Sequence, residues 1–162
     1  MEFRIRPGTE TDLPAMLSLW REMMDFHAEL DPRFRPRSSP EGEAAWADYL
    51  REEIWTSENW CVLVAEANAA LVGQILGELR ELPPVFGAQA FGYVTDIVVA
   101  GEARRQGIAR ALFKGLREWM RDRGAEHLQM QVMVRNDASQ AFWRAMGCTR
   151  YSDILWYDLE EE

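Results

Sequence analysis

Arg104-Arg105-Gln106-Gly107-Ile108-Ala109 follows the apolar run Tyr93-Val94-Thr95-Asp96-Ile97-Val98-Val99 and opens an amphipathic segment from Ile108 to Arg123. The pattern is a strand, a short turn and a helix, with a small residue and flanking arginines at the junction. Backbone N–H groups at a helix start have no partner inside the helix, and the helix dipole adds partial positive charge there. Such a junction suits an anion such as a pyrophosphate. Gly107 has no side chain to keep an anion off the backbone, and Ala109 is nearly as small. Arg104, Arg105, Arg110 and Lys114 form a local basic cluster, for which an ordinary solvated helix face is the alternative reading.

Working outward, Phe3 to Arg6 reads as a first strand ended by Pro7-Gly8. Thr9 or Thr11 is placed to cap a helix whose apolar stripe is Leu13, Met16, Leu17, Trp20, Met24 and His27. Three prolines mark a loop from Asp31 to Pro40, and a second helix follows from Glu41 to Trp55. Trp60 to Ala67 and Leu71 to Leu82 read as strands around a turn at Asn68-Ala69-Ala70. After Pro83-Pro84 and a loop comes the strand from Phe91 to Val99. The helix from Gly107 to Arg123 is expected to bury Ile108, Ala111, Leu112, Leu116, Trp119 and Met120, with Gly124 as its C-terminal cap. His127 to Val134 is the next strand. Asn136 caps a short helix from Asp137 to Met146, with Ala138, Ala141, Phe142 and Ala145 inward and Gly147 closing it. A last strand is expected through Tyr151 to Leu159. The order β-α-α-β-β-β-α-β-α-β predicts an α+β fold, a mixed central sheet flanked by helices. With 162 residues, no repeat and no long linker, the chain reads as a single domain over 1–162.

Composition narrows the function classes. Seven Trp, seven Phe and four Tyr supply a full core, so no disulfide or metal staple is required. Cys61 and Cys148 fit no disulfide framework, and no apolar leader or membrane-spanning run is visible, so a cytoplasmic protein with no membrane partner is expected. A net charge of -9 argues against nucleic acid as a partner. Neither the P-loop spacing nor Gly-x-Gly-x-x-Gly is present. His27 and His127 lack companions at metal-ligand spacing, so no metal site is expected.

The stretch Tyr93 to Phe113 resembles motif A of the GNAT superfamily, the acyl-CoA-dependent N-acetyltransferases. Arg104-x-x-Gly107-x-Ala109 matches that family's Arg/Gln-x-x-Gly-x-Gly/Ala signature. The segment Asn136 to Gly147 is similar to the family's second motif, an Asn-led short helix ending in Gly, and the order of elements is similar from end to end. The resemblance implies a GNAT-like sheet in which two parallel strands, here Phe91 to Val99 and His127 to Val134, splay apart around acetyl-CoA. It implies that backbone groups of Ile97, Val98 and Val99 pair with the pantetheine arm. It implies that the amides of Arg105, Gln106, Gly107, Ile108, Ala109 and Arg110, in the signature that Arg104 opens, hold the pyrophosphate. Asn136 and Phe142 would line the far wall. The implied reaction is direct attack by a primary amine of a small molecule or peptide on the thioester. A backbone N–H near Val98 or Val99 would hold the oxyanion, a base or water chain would take the amine proton, and no metal takes part.

One residue departs from the family pattern. The position after Phe142, often a Tyr that protonates the leaving thiolate, is Trp143, and an indole N–H does not release its proton at ordinary pH. Three residues are candidates for acid–base work: Tyr93, Asp96 and Glu78. Strict alternation puts Phe91, Tyr93 and Thr95 on one face, so Asp96 points away unless a bulge shifts the register. The acidic run Glu22, Asp25, Glu29 and Asp31 would favour a cationic acceptor such as a polyamine, an aminoglycoside or a lysine side chain; a solvated helix face is the alternative. Two other function classes stay open: a non-catalytic acyl-CoA-binding or regulatory module on the same fold, and an interaction domain with no cofactor. Ile154, Leu155, Trp156 and Tyr157 belong either to a homodimer interface or to the core.

Overall fold

Alternation at the N-terminus does form a strand, β1 (Arg4–Pro7), which Pro7-Gly8 ends. The structure is a computed structural model that describes residues 2–34, 39–87 and 89–159. The chain divides into two compact units, Met1–Gln131 and Val132–Glu162.

In the first unit, a short helical turn (Glu10–Asp12) leads into α1 (Leu13–Leu30). The turn is set by Asp12, whose Oδ2 accepts from the Thr9 backbone N–H at 2.9 Å. Ser39 caps α2 (Pro40–Tyr49) through its Oγ, which accepts from Gly42 N–H at 3.2 Å. The second helix does not run on as α to Trp55. It widens into a π turn over Leu50–Ile54, where Trp55 N–H donates to the Leu50 carbonyl at 2.9 Å; Leu50 and Ile54 at its two ends are both buried. Strands β2 (Trp60–Ala67) and β3 (Ala70–Glu81) are joined through Asn68 and Ala69. Both have positive φ, 50° and 60°, as a two-residue hairpin matching the strand twist requires. Then come β4 (Ala90–Val99), α3 (Ile108–Asp122) and β5 (Ala125–Met130). The sheet order is β1-β2-β3-β4-β5, antiparallel except for the parallel β4–β5 pair.

Two apolar layers cover this sheet. On one face Leu13, Met16, Ala47, Leu50 and Ile54 pack with Val62, Val64 and Leu76. On the other lies α3, close enough that a Cβ at Gly77 would stand 3.0 Å from Leu116 and Met120. The buried stripe of α3 is Ile108, Leu112, Phe113, Leu116 and Met120. Phe113 takes the place expected of Ala111 and Trp119, which flank the stripe half-buried; the Trp119 ring lies 3.9 Å beneath the Arg123 guanidinium. On α1 the stripe is rotated slightly from expectation, with Leu19 and Met23 buried while Leu17, Met24 and His27 are half-buried.

In the second unit, Asn136 caps α4 (Asp137–Ala145) by accepting from Ser139 N–H at 3.0 Å. The inward face differs from expectation: Trp143 is buried, Phe142 is half-buried, and Ala138, Ala141 and Ala145 are exposed. A bulky indole gains far more from burial than a methyl group does, so it claims the inner stripe. The strand expected to reach Val134 stops at Met130. The expected strand from Tyr151 to Leu159 is not formed. Alternating apolar residues make a strand only with a ladder partner, and among the described residues none pairs with this segment; Tyr151, Ile154, Leu155, Trp156 and Tyr157 are exposed and are not core.

One ion pair ties the start of the fold together. Arg6 grips Asp12 with both ends of its guanidinium, Nη1 to Oδ2 at 2.8 Å and Nη2 to Oδ1 at 2.7 Å. These bonds from Arg6 lower the Asp12 pKa to about 2. A depressed carboxylate pKa stabilises the fold above the ordinary carboxylate range, and that contribution fades as pH falls toward 2. Asp12→Asn is therefore expected to lose about 2 kcal/mol of stability at pH 7. Urea unfolding should show the gap between variant and wild type closing at low pH, and a gap independent of pH would refute this account.

Candidate active site

A β-bulge decides which side chains share a face at the site. Across β3 and β4, Gly77 pairs with Val94 and Leu76 pairs with Asp96, so Thr95 is an extra residue on β4. Its hydroxyl donates to the Leu76 carbonyl at 3.3 Å. Paired residues project to the same face, and the bulge reverses the parity of β4 beyond Thr95. Asp96 therefore joins Tyr93 on the face of Leu76 and Glu78, the face covered by α1 and α2. The three acid–base candidates, which alternation alone separates, lie on one surface of the sheet.

The bulge also marks where β4 loses one neighbour. Pairing with β5 ends at Val94 with Met130, while pairing with β3 continues to Val99. Among the described residues no strand lies along the other edge of β4 from Thr95 to Val99. Ala100 N–H donates to the Val72 carbonyl, so alternation turns the backbone groups of Val98 toward β3 and those of Ile97 and Val99 toward the open edge. Arg104 Nε occupies the Val99 carbonyl at 3.1 Å.

At the top of that edge, α3 begins without a side-chain cap. Gly107 is its N-cap at φ 84°, ψ 0°, and Ala111 N–H makes the first helical bond, to the Gly107 carbonyl at 3.0 Å. The preceding Arg105 also has positive φ, 62°. Left-handed residues in such a turn gather successive N–H groups into a concave, anion-binding arrangement. A Cβ at Gly107 would meet nothing within 4 Å, so glycine is required there by the backbone angle and not by crowding. Arg105 and Arg110 are exposed and form no ion pair among the described residues, whereas Lys114 reaches Glu118 at 3.9 Å. The uncapped amides, the two arginines and the open strand edge fit a pyrophosphate followed by an extended, amide-bearing arm.

Electrostatics separates the acid–base candidates. Burial pushes the Asp96 carboxyl up to about 6, with the Thr95 hydroxyl pulling weakly the other way. The Glu78 carboxylate is held by Arg80, whose Nε donates to it at 2.6 Å, and the Arg80 guanidinium also lies 4.0 Å from the centre of the Tyr93 ring. Tyr49, at the start of the π turn, stacks edge-on to Trp60. Its pKa is raised by burial and by the negative charges of Glu78, Glu53 and Asp96. The Asp96 carboxylate pairs with no cation among the described residues, and its raised pKa of about 6 suits a proton acceptor near neutral pH.

Two features escaped sequence reasoning. Gln74 is fully buried on the face of Asp96, and among the described residues neither its Oε1 nor its Nε2 has a hydrogen-bond partner. A buried group left so costs about 1–3 kcal/mol. Its signal was a lone amide inside the apolar run Val72-Gly73-Gln74-Ile75-Leu76. The other is Arg104, whose Nη2 pairs with Glu22 of α1 at 2.6 Å, so its side chain clips the loop to the first helix. Asp31 is likewise consumed, by Arg33 at 2.6 Å, which leaves Asp25 and Glu29 as the exposed members of the acidic run. Asn136 and Phe142 lie in the second unit, Asn136 as the helix cap and Phe142 edge-on to Trp143 at 4.9 Å. Half-buried His27 lies beside the Phe34 ring at 5.3 Å, and exposed His127 stacks on Phe91 at 5.5 Å.

Comparison with known proteins bears on this arrangement. The chain is 32% identical over 73 residues to N-alpha-acetyltransferase 30 of Schizosaccharomyces pombe, covering 45% of this chain and 49% of that protein. It is 32% identical over 75 residues to the uncharacterized N-acetyltransferase YobR of Bacillus subtilis, covering 46% of this chain and 30% of that protein. It thus spans half or less of the length of these curated relatives. Among solved structures, a mutant of the BH1408 protein from Bacillus halodurans superposes with TM-score 0.82 at 18% identity, over 97% of this chain and 99% of that one. AAC(6')-Iy, in complex with the bisubstrate analogue CoA-S-monomethyl-acetylneamine, superposes with TM-score 0.77 at 17% identity, over 99% of each chain. At such identities the likeness is one of fold. The model of the acetyltransferase (GNAT) family matches residues 20–148, most of the chain, and the protein belongs to that family.

Proposed function

We propose that the protein is an N-acetyltransferase that moves the acetyl group of acetyl-CoA to a primary amine of a small molecule or peptide. The observation that carries this reading is the bulge at Thr95. It sets an acid with a pKa of about 6 beside an open strand edge that ends at an uncapped helix N-terminus. Acetyl-CoA supplies an activated thioester. The amides of Arg105 to Arg110 hold its pyrophosphate, and the backbone groups of Ile97 and Val99 pair with its extended arm. The amine nitrogen forms a bond to the acetyl carbon as the carbon–sulfur bond breaks. A backbone N–H of that open edge donates to the developing oxyanion, and the proton of the amine passes to Asp96. The sulfur leaves as thiolate, an adequate leaving group with a thiol pKa of about 8.5, so Trp143 need supply no proton. Tyr93 and Glu78, braced by Arg80, shape the acceptor side of the same face.

Thiol release from acetyl-CoA across a panel of amines tests the reaction, and calorimetry with acetyl-CoA tests the binding. Release with at least one amine is expected. Binding without release from any amine would make the protein an acyl-CoA-binding module. An absence of binding at millimolar acetyl-CoA would refute both readings.

A further inference from the structure

Gln74 lies in the middle of β3, paired with Val64 of β2 on one side and Val98 of β4 on the other. It is fully buried on the face covered by α1. Its partners in register and its same-face neighbour Leu76 are apolar. A leucine would fill this position without loss, so an amide here needs a reason. Asp96 faces Leu76, the next residue after Gln74 on the same face, so Gln74 and Asp96 are diagonal neighbours across the β3–β4 pair. Diagonal neighbours lie about 7–8 Å apart, a span that a long side chain and one bridging water cover. Buried polar groups of this kind bind structural water.

We infer that Gln74 is a positioning residue for Asp96: its carboxamide holds a buried water against the Asp96 carboxyl, and that water relays the amine proton. In the relay the amine N–H proton passes to the water oxygen as one of the water's own protons passes to the carboxylate. Gln74 changes neither charge nor protonation, and orients the water by accepting one hydrogen bond and donating another. The catalytic use of this water rests on the acetyl-transfer reading, whereas the water and its bond to Asp96 do not. The titratable groups on this surface include Glu78, Arg80, Tyr93 and, further off, Arg6 on the sheet, with Tyr49 and Glu53 from α2 and its π turn.

Gln74→Leu separates this role from packing. Thermal unfolding should show the variant as stable as wild type or more so, because an apolar side chain of similar shape replaces a buried amide without protein partners. Turnover at pH 7 should fall by roughly ten-fold or more, with the KM for acetyl-CoA changed by less than about two-fold. Carbon-13 NMR titration of the Asp96 carboxyl, assigned with Asp96→Asn, should place it near 6 in wild type. In Gln74→Leu it should move up by about half a unit or more, because the ionised form loses a donor. A folded Gln74→Leu with wild-type turnover and an unshifted Asp96 titration would overturn the inference. Should leucine prevent folding, Gln74→Met is read by the same measurements. If the wild-type protein transfers no acetyl group, the proposed function fails, while the NMR titration still decides whether Gln74 and Asp96 are coupled.

Discussion

Gly107→Val is expected to weaken acetyl-CoA binding by about 100-fold while the protein still folds. The reason is the backbone angle. Gly107 sits at φ 84°, where a Cβ costs about 1–2 kcal/mol and a β-branched residue more. Nothing lies within 4 Å of the added carbon, so the domain has room for the side chain and α3 keeps its buried stripe of Ile108, Leu112, Leu116 and Met120. The strain is relieved by rotating the peptide units at the start of the helix, which turns the Ile108 and Ala109 amides away from the anion. Hydrogen bonds to a charged group contribute about 1.5–3 kcal/mol each, so losing one or two accounts for the predicted factor. Gly107→Asn is the control, because asparagine tolerates the left-handed region and should bind far better than valine. Calorimetry with acetyl-CoA gives the affinity and circular dichroism reports the fold. Affinity within about three-fold of wild type in a folded valine variant would remove the pyrophosphate from this turn.

Asp96→Asn is expected to lower kcat by about 100- to 1000-fold and to erase the acidic limb of the pH profile. In wild type, kcat/KM should rise with pH through about 6 as the carboxyl ionises, then level. The stability consequence has the opposite sign to that at Asp12. A carboxyl whose pKa is raised on folding binds its proton more tightly in the native state, so stability declines as pH climbs from about 4 through 6. Asparagine escapes that loss, so the variant should be more stable than wild type at pH 8, by about 2 kcal/mol, and no more stable at pH 4. An Asp96→Asn protein that keeps its acidic limb would assign the titration, and the proton transfer, to another group.

The strand-turn-helix at Gly107 and the Asn136 cap were readable because each rests on local chemistry: a residue without a side chain, or a short side chain that accepts from the next turn. The hairpin at Asn68-Ala69 and the π turn at Leu50 show the next level of difficulty. The hairpin is legible even without an Asn-Gly pair, but one extra residue per turn in a helix leaves no mark that periodicity can detect. Asp96 was the hardest to place. Alternation along β4 points it away from Tyr93, and only the pairing with β3 shows that Thr95 is out of step. Gln74 leaves little signal in the sequence because its polarity is averaged out in an apolar run; its meaning depends on what faces it. The failure at Tyr151 to Leu159 has the reverse cause: a pattern suited to a strand, with no ladder to receive it.

The extra residue at Thr95 makes the two halves of β4 independent in phase. Before it, Gly92 and Val94 point to α3; after it, Ile97 and Val99 do, two odd-numbered positions in place of two even. Keeping Thr95 but pairing it in regular alternation would hand Asp96 to the greasy underside of α3 and turn Ile97 toward the acceptor, exchanging every side chain of the half-strand at once. Deleting Thr95 would instead straighten β4 and leave Asp96 and Ile97 on the faces they occupy, so a one-residue gap at this point in a relative's alignment would signal the same surface reached without the bulge.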